Sequence, residues 1–278
     1  MKPVSQQPIG IFDSGVGGLS VLRAIREQLP HEHILYVADQ AHIPYGPRQK
    51  TQIRDFSIGI SEFLLAQGAK LIVVACNTAS AAALHDLRAR FPDVPFVGME
   101  PAVKPAAAIT RTGRVGVLAT PTTFAGEMYA ALVDRFAKGI EIYKSTCPGL
   151  VEQVEGGELD SPDTRAILEE ALNPMLAANV DTIVLGCTHY PFVIPLIQSI
   201  TGPGVRTIDP APAIARQTHR LLTERNRLNP EESPGEMQFF TSGDPSTLRP
   251  LLLHLLGETG PVTQVVWTNL KLGKVPLA

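Results

Sequence analysis

Two cysteines of this 278-residue chain stand in the same short pattern. Cys76 follows the apolar run at residues 71–75, and Cys187 follows a similar run at residues 182–186. A buried, β-branched run of this length predicts a central parallel strand, and ligands bind where such strands end. We therefore expect two thiols that face one cleft from opposite sides. Such a pair can give and take a proton on the two faces of one carbon atom.

The residues next to the two cysteines are polar, which a core strand does not require. A lone free cysteine is more often a small buried hydrophobe than a reactive group. Here Asn77 and Thr78 follow the first cysteine, and Thr188 and His189 follow the second. A thiol with a pKa of about 8.5 is mostly protonated at neutral pH, so each needs a neighbour that exchanges protons with it. Asp13 and His189 are the candidates.

Other uses of these residues fit the spacing less well. Cys187 and His189 are too close in sequence to indicate the nucleophile and base of a thiol hydrolase, which would also leave Cys76 without a role. A zinc site made of two cysteines and one histidine would lack the C-x-x-C pair that normally starts it. We therefore predict no metal site.

The elements that position these residues alternate between strand and helix. Residues 9–12 predict a strand that runs into a glycine-rich loop at residues 13–18 and then a helix. This loop is weak support for a nucleotide, and we expect its backbone N–H groups to approach a small carboxylate. Residues 42–47, HIPYGP, predict either a surface turn or a stiff loop that presents Tyr45 and Gly46 to a ligand.

The same alternation begins again in the second half of the chain. Residues 114–119 predict a strand, and the threonines that follow fit the cap of a helix at residues 124–136. Because strands and cysteines recur in equivalent order, we predict an internal pseudo-repeat. The polar segment at residues 229–236 predicts a linker, and residues 237–241 and 248–256 predict a further strand and helix.

These patterns predict an α/β fold of two similar, doubly wound parallel-sheet lobes. We expect a pseudo-two-fold axis to relate the lobes and the active site to lie in the cleft between them. Residues 1–98 and 209–278 are expected to form the first lobe and residues 99–208 the second. A chain that crosses twice between lobes suits closure around a ligand.

Composition excludes several classes of protein. The net charge of −3 and the pI of about 6.2 give no electrostatic support for binding nucleic acid. Three cysteines in so long a chain do not form the framework of a disulfide-rich secreted domain. Neither a signal peptide nor a run of about 18 apolar residues is present, so we expect a cytoplasmic protein that does not bind membranes.

Six motifs, in order along the chain, resemble those of the glutamate racemases within the aspartate/glutamate racemase family. The resemblance implies a cofactor-independent, two-base racemase that makes D-glutamate for peptidoglycan, with glutamate as its small-molecule partner. It leaves a homodimer open. The motifs are FDSGVGGLSV at 12–21, IPYG at 43–46, VACNTAS at 74–80, ATPTTF at 119–124, LGCTHYP at 185–191 and SGDPSTL at 242–248.

The resemblance also implies roles for individual residues. Cys76 and Cys187 would be the acid/base thiols, with Asp13 supporting the first and His189 the second. The family carries a glutamate after the Cys-Pro pair; Glu155 matches it best, and Glu152 stays an alternative. The residues implied in substrate binding are Asp13, Ser14, Tyr45, Gly46, Asn77, Thr78, Thr120, Thr123, Thr188 and His189.

A binding or regulatory protein is the second class of function that these features allow. Two lobes that close on a small acid, with helix N-termini that face it, would serve such a protein equally well. The paired thiols favour the enzyme, because a binding protein gains nothing from them.

Overall fold

The computed structural model describes residues 3–275, and among these residues eleven strands form two sheets. The larger sheet has seven strands and the smaller has four. The strands are β1 (Ile9–Asp13), β2 (Ile34–Ala38), β3 (Leu71–Val74), β4 (Phe96–Gly98), β5 (Arg114–Ala119), β6 (Glu141–Ser145), β7 (Thr182–Gly186), β8 (Arg206–Ile208), β9 (Met237–Thr241), β10 (Val262–Thr268) and β11 (Lys271–Lys274).

Helices follow most of the strands. Within residues 3–275, no helix is long and apolar enough to cross a membrane. The helices are α1 (Leu19–Gln28), α2 (Lys50–Ala66), α3 (Asn77–Arg90), α4 (Val103–Ile109), α5 (Pro121–Ala125), α6 (Glu127–Phe136), α7 (Leu150–Glu155), α8 (Pro162–Ala177), α9 (Ile194–Thr201), α10 (Ala211–Glu224) and α11 (Pro245–Leu251).

The two sheets repeat one strand order. The larger sheet contains β2-β1-β3-β4 and the smaller is β6-β5-β7-β8, so each runs second, first, third, fourth strand, all in parallel pairs. The prediction of an α/β fold built from parallel sheets is therefore confirmed. In such sheets ligands bind where the strand order reverses, between the first and third strands. Cys76 and Cys187 each follow the third strand of their sheet.

Burial explains why the central strands are continuous apolar runs. Every residue of β1, β2, β3 and β7 is buried, as expected for parallel strands with helices on both faces. The edge strand β6 has no buried residue and carries Glu141 and Lys144. The strongest sequence signals therefore come from β1, which ends at Asp13, and from the two strands that the cysteines follow.

The last part of the chain extends the larger sheet. β9 pairs with β2 and β10 pairs with β9 in parallel, and β11 pairs with β10 in an antiparallel hairpin. The sequence predicts β9 but not this hairpin. Its turn places Asn269 and Leu270 at positive φ (49° and 62°), a geometry that usually shows itself in sequence as Asn-Gly. The lobe boundaries at residues 98/99 and 208/209 stay a prediction.

Two predicted helices differ in detail from the structure. The helix expected at residues 124–136 is two helices, α5 and α6, because Gly126 between them has an extended backbone (φ −73°, ψ 139°). The helix expected at residues 248–256 begins earlier, as α11, and continues as a π-helical segment, Leu252–Leu256. Neither difference moves a residue of the two cysteine motifs.

Candidate active site

Cys76 lies between the end of β3 and the first turn of α3. Its sulfur caps the helix by accepting a hydrogen bond from the Ala79 backbone N–H at 3.4 Å. The residue is only 4% exposed. Burial, and next the negative charge of Asp13, raise the pKa of the Cys76 thiol well above its usual value. This cysteine therefore holds its proton at neutral pH.

Asp13 ends β1 and lies behind the wall of the cleft. Its Oδ2 accepts hydrogen bonds from the backbone N–H groups of Gly15 at 3.2 Å and Gly18 at 3.0 Å, and its Oδ1 accepts one from the Thr188 hydroxyl at 3.3 Å. Burial raises the pKa of the Asp13 carboxyl, although the nearby His189 opposes this. Contrary to expectation, these two loop N–H groups bind Asp13 and are not free for a ligand carboxylate.

His189 is held between Cys187 and Glu155. Its Nδ1 lies 3.7 Å from the Cys187 sulfur and its Nε2 lies 2.7 Å from Glu155 Oε1. Burial by itself lowers the pKa of His189, but the hydrogen bonds to Cys187 and Glu155 hold that pKa well above its usual value. A protonated imidazole beside a sulfur stabilises the thiolate form. The second cysteine therefore has an acid/base partner in direct contact.

Glu155 connects the two lobes. It ends α7, yet its Oε1 also accepts a hydrogen bond of 2.6 Å from the backbone N–H of Val16 in the loop after β1. Glycine is required beside this contact, because a Cβ at Gly15 would overlap the Glu155 carboxylate, and one at Gly17 would overlap His189. The glycine-rich loop thus gives room to the acidic and imidazole side chains of the other lobe.

A cavity of about 250 Å³ lies between the lobes and reaches both cysteines. The larger-sheet side contributes residues that follow β1, β2 and β3, and the smaller-sheet side contributes those that follow β5, β6 and β7. Among the described residues that line it there is no lysine or arginine. The predicted residues that line it are Ser14, Tyr45, Gly46, Cys76, Asn77, Thr78, Thr120, Cys187, Thr188 and His189.

Asn77 carries two unpaired polar atoms at this cavity. Its side chain is buried (3% exposed), and neither its Nδ2 nor its Oδ1 has a hydrogen-bond partner. Burying an amide without partners costs about 1–3 kcal/mol, so such groups in a cleft indicate a ligand that pairs with them. The Asn77 amide is therefore free to pair with a polar group in the cavity.

Three threonine hydroxyls meet at one wall of the cavity, where Thr78 and Thr120 line it and Thr123 lies behind them. Thr120 caps α5, accepting the Thr123 N–H at 3.3 Å, and its hydroxyl lies 2.9 Å from that of Thr78 and 3.0 Å from that of Thr123. Beside them, the Thr122 hydroxyl donates to the Gly46 carbonyl at 2.6 Å. The helix-cap interpretation is thus correct for Thr120 alone, and the helix that it caps is α5 rather than one that begins at residue 124. The Thr78–Thr120 and Thr122–Gly46 hydrogen bonds join the two lobes.

The arrangement of the two cysteines and their neighbours fits proton transfer better than a thiol hydrolase or a zinc site. Within residues 3–275 no group of three or more His, Cys, Asp or Glu side chains could hold a metal ion. Both sulfurs reach one cavity from opposite sheets, and each has its own titratable neighbour. A carbon atom placed between them would have a thiol on either face.

The comparison with known families agrees with this chemistry. Residues 9–218 match the family model described as Asp/Glu/Hydantoin racemase. The chain belongs to this racemase family. The matched segment includes both cysteines, Asp13, Glu155 and His189, and it ends before β9.

Three members of this racemase family are similar over nearly the whole chain. A glutamate racemase of Roseiflexus sp. (strain RS-1) is 49% identical over 269 residues, which is 96% of this chain and 99% of the relative. The structure of glutamate racemase from Francisella tularensis in complex with D-glutamate has a TM-score of 0.81 at 30% identity, covering 95% and 98% of the two chains. That of Escherichia coli glutamate racemase with L-glutamate and the activator UDP-MurNAc-Ala has a TM-score of 0.83 at 34% identity, covering 94% and 98%.

Three of the predicted site residues of this racemase-family member lie behind the cavity wall. Asp13, Thr123 and Glu155 do not line the cavity, and each instead holds a residue that does. Glu152, the alternative to Glu155, does line it. The structure thus gives the two acids different positions, and the roles assigned to all these residues stay predictions.

The sequence analysis missed one segment of the cavity wall. Thr146, Cys147, Pro148 and Gly149, between β6 and α7, line the cavity. Cys147 is 2% exposed, and burial raises the pKa of its thiol to about 12. The signal that was available is their position directly after a strand end, but β6 is an exposed edge strand without an apolar run.

Proposed function

We propose that this chain interconverts L-glutamate and D-glutamate by proton transfer at Cα between two thiols, without a cofactor. The observation that carries the proposal is that Cys76 and Cys187 follow equivalent strands of two repeated sheets and line one cavity. Its membership of the racemase family supports the reaction type. The substrate is supported by the relatives named glutamate racemase and by the two glutamate complexes.

The two thiols act in turn on one Cα–H bond. The thiolate of one cysteine removes the proton, and the electron pair of the broken bond is delocalised into the α-carboxylate, so that Cα becomes planar. The thiol of the other cysteine then donates its proton to the opposite face of Cα, where the electron pair forms the new C–H bond. We assign Cys187 to L-glutamate and Cys76 to D-glutamate. After each turnover the two cysteines have exchanged protonation states, so protons must be redistributed before the same enantiomer reacts again.

The neighbours of the thiols assist this redistribution. His189, protonated between Cys187 and Glu155, stabilises the thiolate of Cys187. Asp13, whose pKa burial raises, is better matched to exchange a proton with Cys76 near neutral pH than an exposed carboxylate would be. Glu155 is a positioning residue in this mechanism, because it contacts His189 and not the cavity.

Glutamate fits the polar groups of the cavity. With no lysine or arginine among the described lining residues, both carboxylates must be bound by neutral donors such as the hydroxyl of Thr78 and the amide of Asn77. Such a site distinguishes substrates by the distance between their two carboxylates. Aspartate, which is one methylene shorter, would leave donors unpaired at one end, at a cost of roughly 1–3 kcal/mol.

Circular dichroism of the amino acid tests the proposal. We expect the purified protein to racemise both glutamate enantiomers with a kcat/KM at least about tenfold above that for either aspartate. Equal or better turnover of aspartate would overturn the substrate while leaving the two-thiol mechanism in place.

Solvent deuterium separates the enzyme from a binding protein. In deuterium oxide we expect glutamate to acquire deuterium at Cα as it racemises. A protein that binds glutamate without any exchange would be the two-lobed binding or regulatory protein that the sequence also allows.

We further propose that the enzyme works in the cytoplasm and supplies D-glutamate for peptidoglycan.

A further inference from the structure

The side chain of Gln40 lies between Glu155 and the last segment of the chain. Gln40 begins the short turn after β2 and is half-buried. Its Nε2 donates a hydrogen bond to Glu155 Oε2 at 3.3 Å, and its Oε1 accepts one from the Thr241 hydroxyl at 2.7 Å. One amide therefore connects β9 with a carboxylate of the other lobe.

The hydrogen-bond partners on the two sides of the Gln40 amide, Thr241 and Glu155, together determine which way the amide points. Thr241 is fully buried, and its hydroxyl oxygen accepts the Gly243 backbone N–H at 2.9 Å. The single proton of that hydroxyl goes to the Gln40 oxygen, and this oxygen cannot face Glu155 instead, because a carboxylate only accepts hydrogen bonds. The amide nitrogen is thereby directed at Glu155, where a donor is needed.

Gln40 completes the coordination of the Glu155 carboxylate. Oε1 of Glu155 accepts from the Val16 N–H at 2.6 Å and from His189 Nε2 at 2.7 Å. Among the described residues, Gln40 supplies the side-chain or backbone donor to Oε2. With donors on both oxygens the carboxylate cannot rotate without losing a hydrogen bond, and its Oε1 stays aligned with the imidazole beside Cys187.

We infer that Gln40, oriented by Thr241, is a positioning residue for the Cys187 side of the reaction and acts through Glu155 and His189. The inference rests on the proposed glutamate racemase function. It assigns a role to β9, which lies beyond the residues 9–218 that match the family model. Because Gln40 and Glu155 come from different lobes, the alignment is complete only when the lobes are together.

A leucine at position 40 tests the role of the amide. Gln40→Leu keeps the approximate volume and removes both hydrogen bonds, and we expect kcat/KM for glutamate to fall about three- to tenfold. The matched control is Gln264→Leu, because Gln264 is exposed and its amide donates to the neighbouring Gly243 carbonyl at 3.0 Å without contact to Glu155. The control should keep the activity of the unmodified protein.

Isotope effects separate a positioning role from a general structural one. With glutamate deuterated at Cα, a slower step at Cys187 should raise the primary isotope effect on kcat/KM from L to D, where Cys187 removes the deuteron. It should lower the isotope effect from D to L, where Cys76 removes it and Cys187 acts afterwards. A variant that is only loosely folded would lose activity without changing the two isotope effects in opposite directions.

Thr241 provides a second, independent variant. Thr241→Val removes the hydroxyl at nearly constant volume, so it should raise the isotope effect from L to D and lower the one from D to L, as Gln40→Leu does. Thr241→Ser keeps the hydroxyl and should show the isotope effects of the unmodified protein. The double variant Gln40→Leu/Thr241→Val should have the same kcat/KM as Gln40→Leu alone, because both changes interrupt the same series of hydrogen bonds from Thr241 through Gln40 to Glu155.

The outcomes keep this inference distinct from the proposed function. If the unmodified protein does not racemise glutamate, the proposed function fails. If it does, but Gln40→Leu behaves like Gln264→Leu or moves both isotope effects in the same direction, the inference alone is overturned.

Discussion

The hydroxyls of Thr78 and Thr120 lie 2.9 Å apart although they follow strands of different sheets. Thr78 stands in the first turn of α3, two residues after Cys76, and Thr120 caps α5. The contact holds the two lobes together at one wall of the cavity, close to the first thiol. It is one of several contacts, with those of Glu155 to Val16 and of Thr188 to Asp13, in which one lobe completes the site of the other.

Loss of either catalytic thiol should abolish racemisation. Cys76→Ala and Cys187→Ala should each lower kcat for both enantiomers by about a thousandfold or more, because the remaining base cannot return a proton to the other face of Cα. Circular dichroism of glutamate measures the loss. Cys147→Ser, a change in a third cysteine of the same cavity, should retain activity. A Cys187→Ala protein with nearly normal turnover would contradict the two-thiol mechanism.

Asn77→Ala should separate stability from activity. The buried amide of Asn77 has no partner in the protein, so its removal should leave the free energy of unfolding unchanged or raise it. At the same time kcat/KM for glutamate should fall by about tenfold or more, since a ligand would lose that pairing.

The matched control is Ser80→Ala in the same helix. The Ser80 hydroxyl donates to the Val74 carbonyl at 3.1 Å and accepts the Met99 N–H at 2.9 Å, so its loss should lower the free energy of unfolding. Chemical denaturation with parallel kinetics checks both variants. An Asn77→Ala protein that is destabilised like Ser80→Ala would show that the amide has a structural role.

The two acids of α7 should respond differently to neutralisation. Glu155→Gln should lower kcat by about tenfold or more, because the charge that stabilises protonated His189 is lost and the new amide nitrogen would face Gln40 or Val16. Glu152→Gln should change kcat by less than about threefold, because Glu152 only lines the cavity. Steady-state kinetics in both directions decide between them, and the reverse order of effects would assign the catalytic glutamate to Glu152.

Protonation of His189 should make stability depend on pH. The pKa of His189 in the folded protein is raised well above the usual 6.5, through hydrogen bonds to Cys187 and Glu155 that outweigh burial. A raised folded-state pKa stabilises the fold fully below the unfolded-state value, and this contribution is lost as the pH rises through the folded-state pKa.

Denaturant unfolding of the unmodified protein and of His189→Gln, at several pH values between about 6 and 9, measures this contribution. The stability advantage of the unmodified protein should shrink as the pH rises. The groups that face the ring, namely Cys187, Glu155 and Asp13, are present in both proteins, so the difference reports the histidine together with its effect on these neighbours. A difference that stays constant with pH would contradict a protonated His189.

The sequence by itself determined the fold class and the positions of the two thiols. Apolar runs such as residues 71–75 and 182–186 are local signals, because a strand buried on both faces must be apolar throughout. The chain order of these runs indicated the internal repeat, which the two sheets then displayed as one strand order. The two cysteines, the polar residues after them and the resemblance to the glutamate racemases together predicted ten lining residues of the cavity.

Only the tertiary structure decided which side chains meet. It placed Glu155 on His189 and Glu152 at the cavity, although the two differ by one helical turn, and it joined Gln40 to Thr241, 201 residues further along the chain. It also showed that Asp13 takes up N–H groups that the glycine-rich loop was expected to offer a ligand. Strand and helix patterns depend on residues that are close in sequence. These contacts depend on how the two lobes pack, and a local sequence pattern does not determine which distant residues come together.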